Sequence, residues 1–283
     1  MSLAPLPPEK GKTVSDALES DSLARPPLPV DALFPSRLPG EMGSSAAGRA
    51  AEGIIDFIRR QKLESGDCLP SEPELCEQLE CSRSSLREAV RTLGSLDIVE
   101  VRHGHGTFVG KMSLDPLVQG LVLRISLSVE RSLNGLLEVM EMREAIDQMV
   151  ASALMEGWRD MDFSRLEALV HQMDRKYRAG ESFADEDRAF HRELLSVVDN
   201  ELMRELSDAF WQVHMAVLPL LGIGYPEDIQ LTIDSHAGIL RAVAAEDLEA
   251  YRKVVSMHYE PLRRVVGRRL HGESPHYPPN SRY

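Results

Sequence analysis

The sequence predicts a mainly α-helical protein of two folded units: three helices closed by a β-hairpin, then an all-helical antiparallel bundle. Three observations carry that prediction. Aromatics make up only 5% while Leu, Ala, Val, Met and Glu are plentiful, a composition that leans to helix. The run "DIVEVRHGHGTFVG" alone reads as two short strands around a Gly-rich turn. From about 130 to 270 the apolar spacing is helical almost throughout, with breaks at Gly157, Gly180, Asp199–Asn200, residues 219–227 and Glu246–Asp247.

The 283 residues suit two modest domains with tails, and a hydrophobic fraction of 43% is ample for their cores. Residues 1–44 are rich in Pro and Ser and are expected to be a disordered tail. Residues 45–110 hold the first unit, 111–126 read as a linker running into a helix, 127–270 form the bundle, and 271–283 are a second loose tail. No run reaches the roughly 18–20 apolar residues that a membrane span requires. The N-terminus lacks the apolar core of a secretory signal. The cysteines, Cys68, Cys76 and Cys81, are odd in number and form no CxxC, which fits a reducing, cytoplasmic setting. A formal net charge of -13 argues against nucleic acid as a partner in bulk, although only a contacting face has to be basic.

In the first unit, Ile54, Ile55, Ile58 and Leu63 form one stripe of an opening helix. Ser71 and Glu74 are spaced for a capping box, with Pro73 in the first turn of the second helix. Ser82 is a good N-cap for the third helix, which runs to about Ser95. There Arg83, Arg87 and Arg91 share one face at i, i+4 and i+8, with Ser84 and Ser85 at its N-terminal end and Leu86, Val90 and Leu93 opposite. A recognition helix needs that layout, with Arg and short polar groups toward bases and phosphates. Alone, the plainer reading, an amphipathic helix with a solvated Arg face, is the stronger one. The hairpin decides the reading: a wing with Arg102, His103 and His105 at its tip can reach the adjacent groove or backbone.

The ungapped run "GDCLPSEPELCEQLECSRSSLREAVRTLGSLDIVEVRHGHGTFV" resembles the winged helix-turn-helix of the GntR family, in its FadR-type branch. The resemblance implies that Ser82, Arg83, Ser84, Ser85 and Arg87 contact bases and phosphates of double-stranded operator DNA, and that His103 and Gly104 are wing contacts. Arg91 joins them by its position on the Arg face. Pro73 departs from the family pattern, which often has a basic residue there, so one phosphate contact is expected to be missing.

In the bundle, Asp187 and His191 lie i, i+4 and project from one side of a helix, close enough to share an ion. His236 and His258 fall on successive helices that a turn near Glu246–Asp247 would bring to one level. Imidazoles plus one carboxylate suit a divalent metal ion of the Zn, Ni or Mn type. Spacing alone leaves satisfied or exposed histidines as the commoner outcome. Residues 130–265 resemble the FCD ligand-binding domain that follows the winged helix in FadR-type regulators, whose ligands are an Asp-x3-His pair and two later histidines; Asp187, His191, His236 and His258 match one by one. By the same resemblance Arg143 meets the carboxylate of a small effector, where otherwise it is a rim cation paired with Asp147 or Glu144. Trp211 and His214 are expected beside it, and His171 at the surface.

The implied protein is a cytoplasmic, metabolite-responsive regulator, commonly a repressor, that binds a palindromic operator as a homodimer. Two rivals stand beside it. A metal-dependent enzyme on a helical bundle would leave the winged helix unexplained. A regulator whose helical domain only dimerises would leave the Asp/His set without a task.

Overall fold

The computed structural model describes residues 45–271 except residues 128, 225 and 227. Both predicted tails, apart from His271, lie outside the described residues. The chain divides into two compact units, and the division falls within the hairpin: residues up to Leu93 with Arg102–Val109 form one, Gly94–Val101 and everything from Gly110 onward the other.

The first unit follows its local signals. Helix α1 (Ala46–Gln61) is capped by Ser45, whose side chain accepts from the Gly48 N–H, and it ends on Lys62 in the left-handed conformation. Ile54 and Ile58 are buried from its apolar stripe, while Ile55 and Leu63 are half-buried. Helix α2 (Glu72–Gln78) begins at the predicted capping box. Glu74 Oε2 accepts from both the Ser71 N–H at 2.8 Å and the Ser71 hydroxyl at 2.7 Å. Pro73 sits where its missing N–H costs nothing. Helix α3 (Arg83–Ser95) buries Leu86, Ala89 and Leu93, and Val90 is half-buried.

Strands β1 (Val99–Arg102) and β2 (Gly106–Val109) pair as the antiparallel hairpin. Gly104 and Gly106 take positive φ, +78° and +113°, which the tight turn demands and which glycine adopts without a Cβ clash. The loop before α2 extends this sheet. Leu69 N–H donates to Thr107 O and Val109 N–H to Asp67 O, each at 2.8 Å, and Cys68 bridges Phe108. This pairing depends on Thr107 and Val109 lying opposite, with no strand pattern in residues 66–69 themselves.

Beyond Ser113 the regular elements of the second unit's described residues are all helices: α4 (Asp115–Ser126), α5 (Val129–Met149), α6 (Ala151–Gly157), α7 (Ser164–Arg178), α8 (Ala184–Leu194) with a 3-10 turn at Leu195–Val197, α9 (Glu201–Leu220), α10 (Gln230–Ala244) and α11 (Leu248–Leu270). The predicted linker needs correction. Most of residues 111–126 is α4, which packs on α5 and α9 with Ile125 buried and Val118, Leu121 and Val122 facing the common core. Its apolar positions recur at i, i+3, i+4 and i+7, so burying that stripe makes it the first element of the bundle.

Helices α10 and α11 form the most extensive helix pair and pack against α7 and α5 respectively. Gly238 makes their close approach possible, because a Cβ there would stand 2.9 Å from Val254 Cγ1. The turn at Ala245–Asp247 puts Glu246 at φ +50°, and Asp247 caps α11 through the Ala250 N–H. No described helix is long and apolar enough to cross a membrane.

Candidate functional site

Each unit carries one site, and the two differ in kind. In the first, Ser82 caps α3: its Oγ accepts from the Ser85 N–H at 3.2 Å and lies 2.9 Å from the hydroxyls of Ser84 and Ser85. Arg83, Arg87 and Arg91 are all exposed on the outer face of α3. Arg87 Nε donates to both oxygens of Glu72 at 3.1 Å, yet its side chain stays 67% exposed, and Arg91 pairs with Glu88 at 2.5 Å. His103 and Gly104 occupy the exposed wing turn, and Arg102 lies 4.3 Å over the Phe108 ring. Eleven acidic residues against eight basic ones in residues 45–110 show that bulk charge does not mark this surface. Its mark is the clustering of guanidiniums on one helix face.

In the second unit Asp187 and His191 on α8, His236 on α10 and His258 on α11 converge, and one ligand atom from each lies within 4.8 Å of all the others. All four are buried, with His236 at 0% exposure. Their ring centroids stand 4.6–5.5 Å apart. Phe190 packs edge-on against His236 at 4.7 Å. The Thr232 hydroxyl, one turn before His236, donates to the His258 carbonyl and ties the two ligand-bearing helices together.

Four ring nitrogens of this cluster are buried without a hydrogen-bond partner: His191 Nε2, His236 Nδ1 and Nε2, and His258 Nδ1. His236 Nε2 lies 3.0 Å from Asp187 Oδ1 but is not aligned as an N–H···O bond. Buried polar atoms left unpaired cost roughly 1–3 kcal/mol each, so a concentration of them in one spot calls for a partner. Burial drives the His191 imidazole down to about 3 and His258 well below its usual range, so both are neutral. For Asp187 burial opposes ionisation, but the adjoining imidazoles outweigh it and hold the carboxyl well below the usual carboxylate range. Three imidazoles and one carboxylate are a donor set that fits a first-row divalent cation.

Beyond the quartet, the Trp211 indole N–H donates to Asp187 Oδ2 at 2.5 Å and fixes the carboxylate's orientation. Trp211 itself stands beneath Arg188, which is held by two 2.8 Å bonds to Asp208. Trp211 thus faces a cleft of about 310 Å³ between α8 and α9, not the chamber that holds Arg143 and His214. The sequence grouped the three together; the structure places Trp211 where its indole reaches Asp187 Oδ2 and its ring lies against Arg188, apart from Arg143 and His214.

Arg143 is not at a rim. It is 4% exposed, lies over the Tyr259 ring, and donates from Nη1 to His214 Nδ1 at 2.5 Å. Since a guanidinium only donates, His214 Nδ1 accepts and its proton resides on Nε2, which is buried and unpartnered. Burial, reinforced by Arg143, takes His214 down to about 3. Asp147 and Glu144 have other partners: Asp147 Oδ2 accepts from the Tyr259 hydroxyl at 2.6 Å, and Glu144 pairs with Arg263 and Ser256. Desolvation pushes Asp147 up to about 6, against the pull of Tyr259 and Arg143. Asn200 caps α9 by accepting from the Met203 N–H, and His171 is exposed.

Comparison with known proteins bears on both units. Residues 46–109 match the model for bacterial regulatory proteins of the gntR family, and residues 138–261 match the FCD domain. The transcriptional regulatory protein NedR of Micromonospora viridifaciens is 35% identical over 121 residues, which cover 40% of this chain and 87% of that protein. The chain belongs to the GntR family. This GntR regulator is also 25% identical to the galactonate operon transcriptional repressor of Escherichia coli over 189 residues, 67% of this chain and 82% of that one. A solved GntR structure from Streptococcus agalactiae superposes with a TM-score of 0.55 at 25% identity, covering 77% of this chain and 99% of that one. The family and these relatives make the protein a DNA-binding transcription regulator and not an enzyme.

Proposed function

We propose that this GntR regulator is a cytoplasmic, metal-dependent repressor of the FadR type that binds a palindromic operator as a homodimer and responds to a small carboxylate. The observation that supports a sensing role most strongly is the buried quartet of Asp187, His191, His236 and His258, with its unpaired ring nitrogens, beside the Arg143–His214 pair. In this reading the quartet holds a divalent ion of the Zn, Ni or Mn type, which when bound supplies a Lewis-acidic coordination site for an effector oxygen.

The chain's own residues do the rest. Trp211 orients Asp187, and Thr232 fixes the His258 backbone. Arg143 offers its remaining N–H groups, and His214 its Nε2–H, to the effector carboxylate. One relative is named for a galactonate operon, which brings a sugar acid into view as one effector class. At the first unit Arg83, Arg87, Arg91, Ser82, Ser84 and Ser85 meet a major groove, with His103 and Gly104 alongside. Arg87 and Arg91 then exchange their exposed carboxylate partners for phosphate or base edges, a small cost because such pairs are worth little in water. An effector that binds one arrangement of the dimer better by about 1–3 kcal/mol suffices to change operator occupancy.

The test is a gel shift against the regulator's own promoter with metal-loaded protein. Retarded DNA should be released by the effector in the parent protein and not in Arg143→Ala. A variant released as fully as the parent would exclude Arg143 from sensing.

A further inference from the structure

Helix α2 ends in a turn that sets two thiols against each other. Leu79 closes the helix, and Glu80 follows in the left-handed conformation at φ +48°. The Cys81 N–H then donates back to the Cys76 carbonyl at 3.1 Å, and the Glu80 N–H to the Glu77 carbonyl at 3.4 Å. This pair of bonds is the Schellman closure of a helix, in which an apolar contact ordinarily joins the two positions that Cys76 and Cys81 occupy. Here both are cysteines, free and half-buried, with their side chains within hydrogen-bonding reach of each other. The third cysteine, Cys68, is exposed and bridges Phe108. Arg87 on α3 stands within electrostatic reach of Cys76. A guanidinium favours the thiolate, the reactive form of the side chain. Burial, with Cys76 beside it, pushes the Cys81 thiol up, so Cys76 is the first to react. Cys81 directly precedes Ser82, the cap of α3.

We infer that Cys76 and Cys81 are a reversible oxidation site, a dithiol that hydrogen peroxide closes to a disulfide and that thereby weakens the regulator's hold on DNA. The Cys76 thiolate attacks one peroxide oxygen and breaks the O–O bond, leaving a sulfenic acid; the departing hydroxide takes up a proton and becomes water. The Cys81 sulfur then displaces the hydroxyl from the Cys76 sulfur, and its own proton leaves with that hydroxyl as a second water. Two thiols and one H₂O₂ thus give one disulfide and two waters, the sulfurs losing the two electrons that the peroxide gains. Reach permits the bond: a disulfide spans Cα atoms roughly 4.4–6.8 Å apart, and residues joined by a backbone N–H···O bond have theirs about 5–6 Å apart. Bonding draws the two sulfurs from contact to about 2.05 Å. That closure pulls on Cys81 and so on Ser82, Arg83, Ser84 and Ser85, which follow it in the chain. The effect on DNA rests on the proposed entry of α3 into the major groove, where losing one well-formed side-chain contact to a base weakens binding about tenfold.

The test uses full-length Cys68→Ser, which leaves Cys76 and Cys81 as the only two thiols. It is treated with hydrogen peroxide, then read by intact mass under denaturing conditions and by gel shift against the regulator's own promoter. The mass of the single chain should fall by about 2 Da, the two thiol hydrogens, and affinity for the promoter should fall about tenfold; dithiothreitol should restore both. Adding Cys76→Ser and Cys81→Ser should abolish both changes. A mass that does not fall, a disulfide that leaves affinity unaltered, or an affinity loss that persists without cysteines overturns the inference. Reduced Arg87→Ala tells the two possible failures apart. Normal affinity there overturns α3 as the helix in the groove, whereas weakened affinity there with no disulfide in Cys68→Ser overturns the thiol site alone.

Discussion

The two sites of this regulator treat charge in opposite ways. On α3 the guanidiniums of Arg87 and Arg91 are exposed and paired with neighbouring carboxylates that are themselves wet. In the bundle Arg143 is buried with an imidazole as its partner, and the adjoining histidines have ring nitrogens that meet no partner at all. An exposed pair is exchanged cheaply for a partner arriving from solvent. A buried, unpaired donor set is costly as it stands and gains from any partner that enters it. The first arrangement suits a large surface such as duplex DNA, the second a small ion and ligand enclosed by helices.

The largest effect separates the two regions cleanly. His236→Ala should abolish bound Zn²⁺, taking the metal from about one per chain to none by elemental analysis, and leave operator binding by the metal-free protein unchanged. A full metal complement in the variant would falsify the quartet. Removing metal from the parent with a chelator should lower its melting temperature by several degrees, and restoring Zn²⁺ should recover it.

Acid should sharpen the contrast next. His214 has a folded pKa of about 3 against an ordinary value of 6.5. Below pH 6.5 the unfolded chain takes up a proton there and the folded chain does not, so stability falls with pH until about 3. Between pH 7 and pH 5 the loss is on the order of 2 kcal/mol for this one residue. Urea unfolding of the metal-free protein at the two pH values reads it, and His214→Phe should reduce the dependence by about that amount, leaving the part that His191 and His258 contribute. The exposed α3 face contributes no comparable acid sensitivity. If the variant keeps the parent's full slope, His214 is not the buried neutral base described.

Arg87→Ala is the converse probe. It should weaken operator binding about 10–100-fold in a gel shift while shifting the melting temperature by no more than a degree or two, because its side chain is 67% exposed. A normal shift would remove α3 from the interface. The smallest expected change is Asn200→Ala, which deletes the cap of α9 and costs about 1 kcal/mol without touching either site. A loss of metal or effector response in that variant would mean that Asn200 does more than end a helix.

Much of the first unit was legible because its signals are local. Ser71 with Glu74, Ser82 before α3, and the β-branched runs around Gly104 and Gly106 each specify their element within a few residues. The misread parts are those that depend on distant partners. Residues 66–69 join the wing sheet only because Thr107 and Val109 lie opposite, and α4 belongs to the bundle only because α5 and α9 cover its stripe. Glu72 as the partner of Arg87, and Trp211 as the orienter of Asp187, are pairs across helices with no fixed spacing to announce them.

Residue order alone announced the helices, the wing and the Arg face of α3, because helical and strand periods are properties of adjacent residues; for the Asp187, His191, His236 and His258 set it supplied one i, i+4 pair and a resemblance. That Asp187 and His191 meet His236 and His258, and that Arg143 is enclosed with His214, came from packing between helices. Those facts depend on how three helices pack at close range, where Gly238 lets α10 and α11 approach, and close packing is a property of side-chain volumes that residue order does not display.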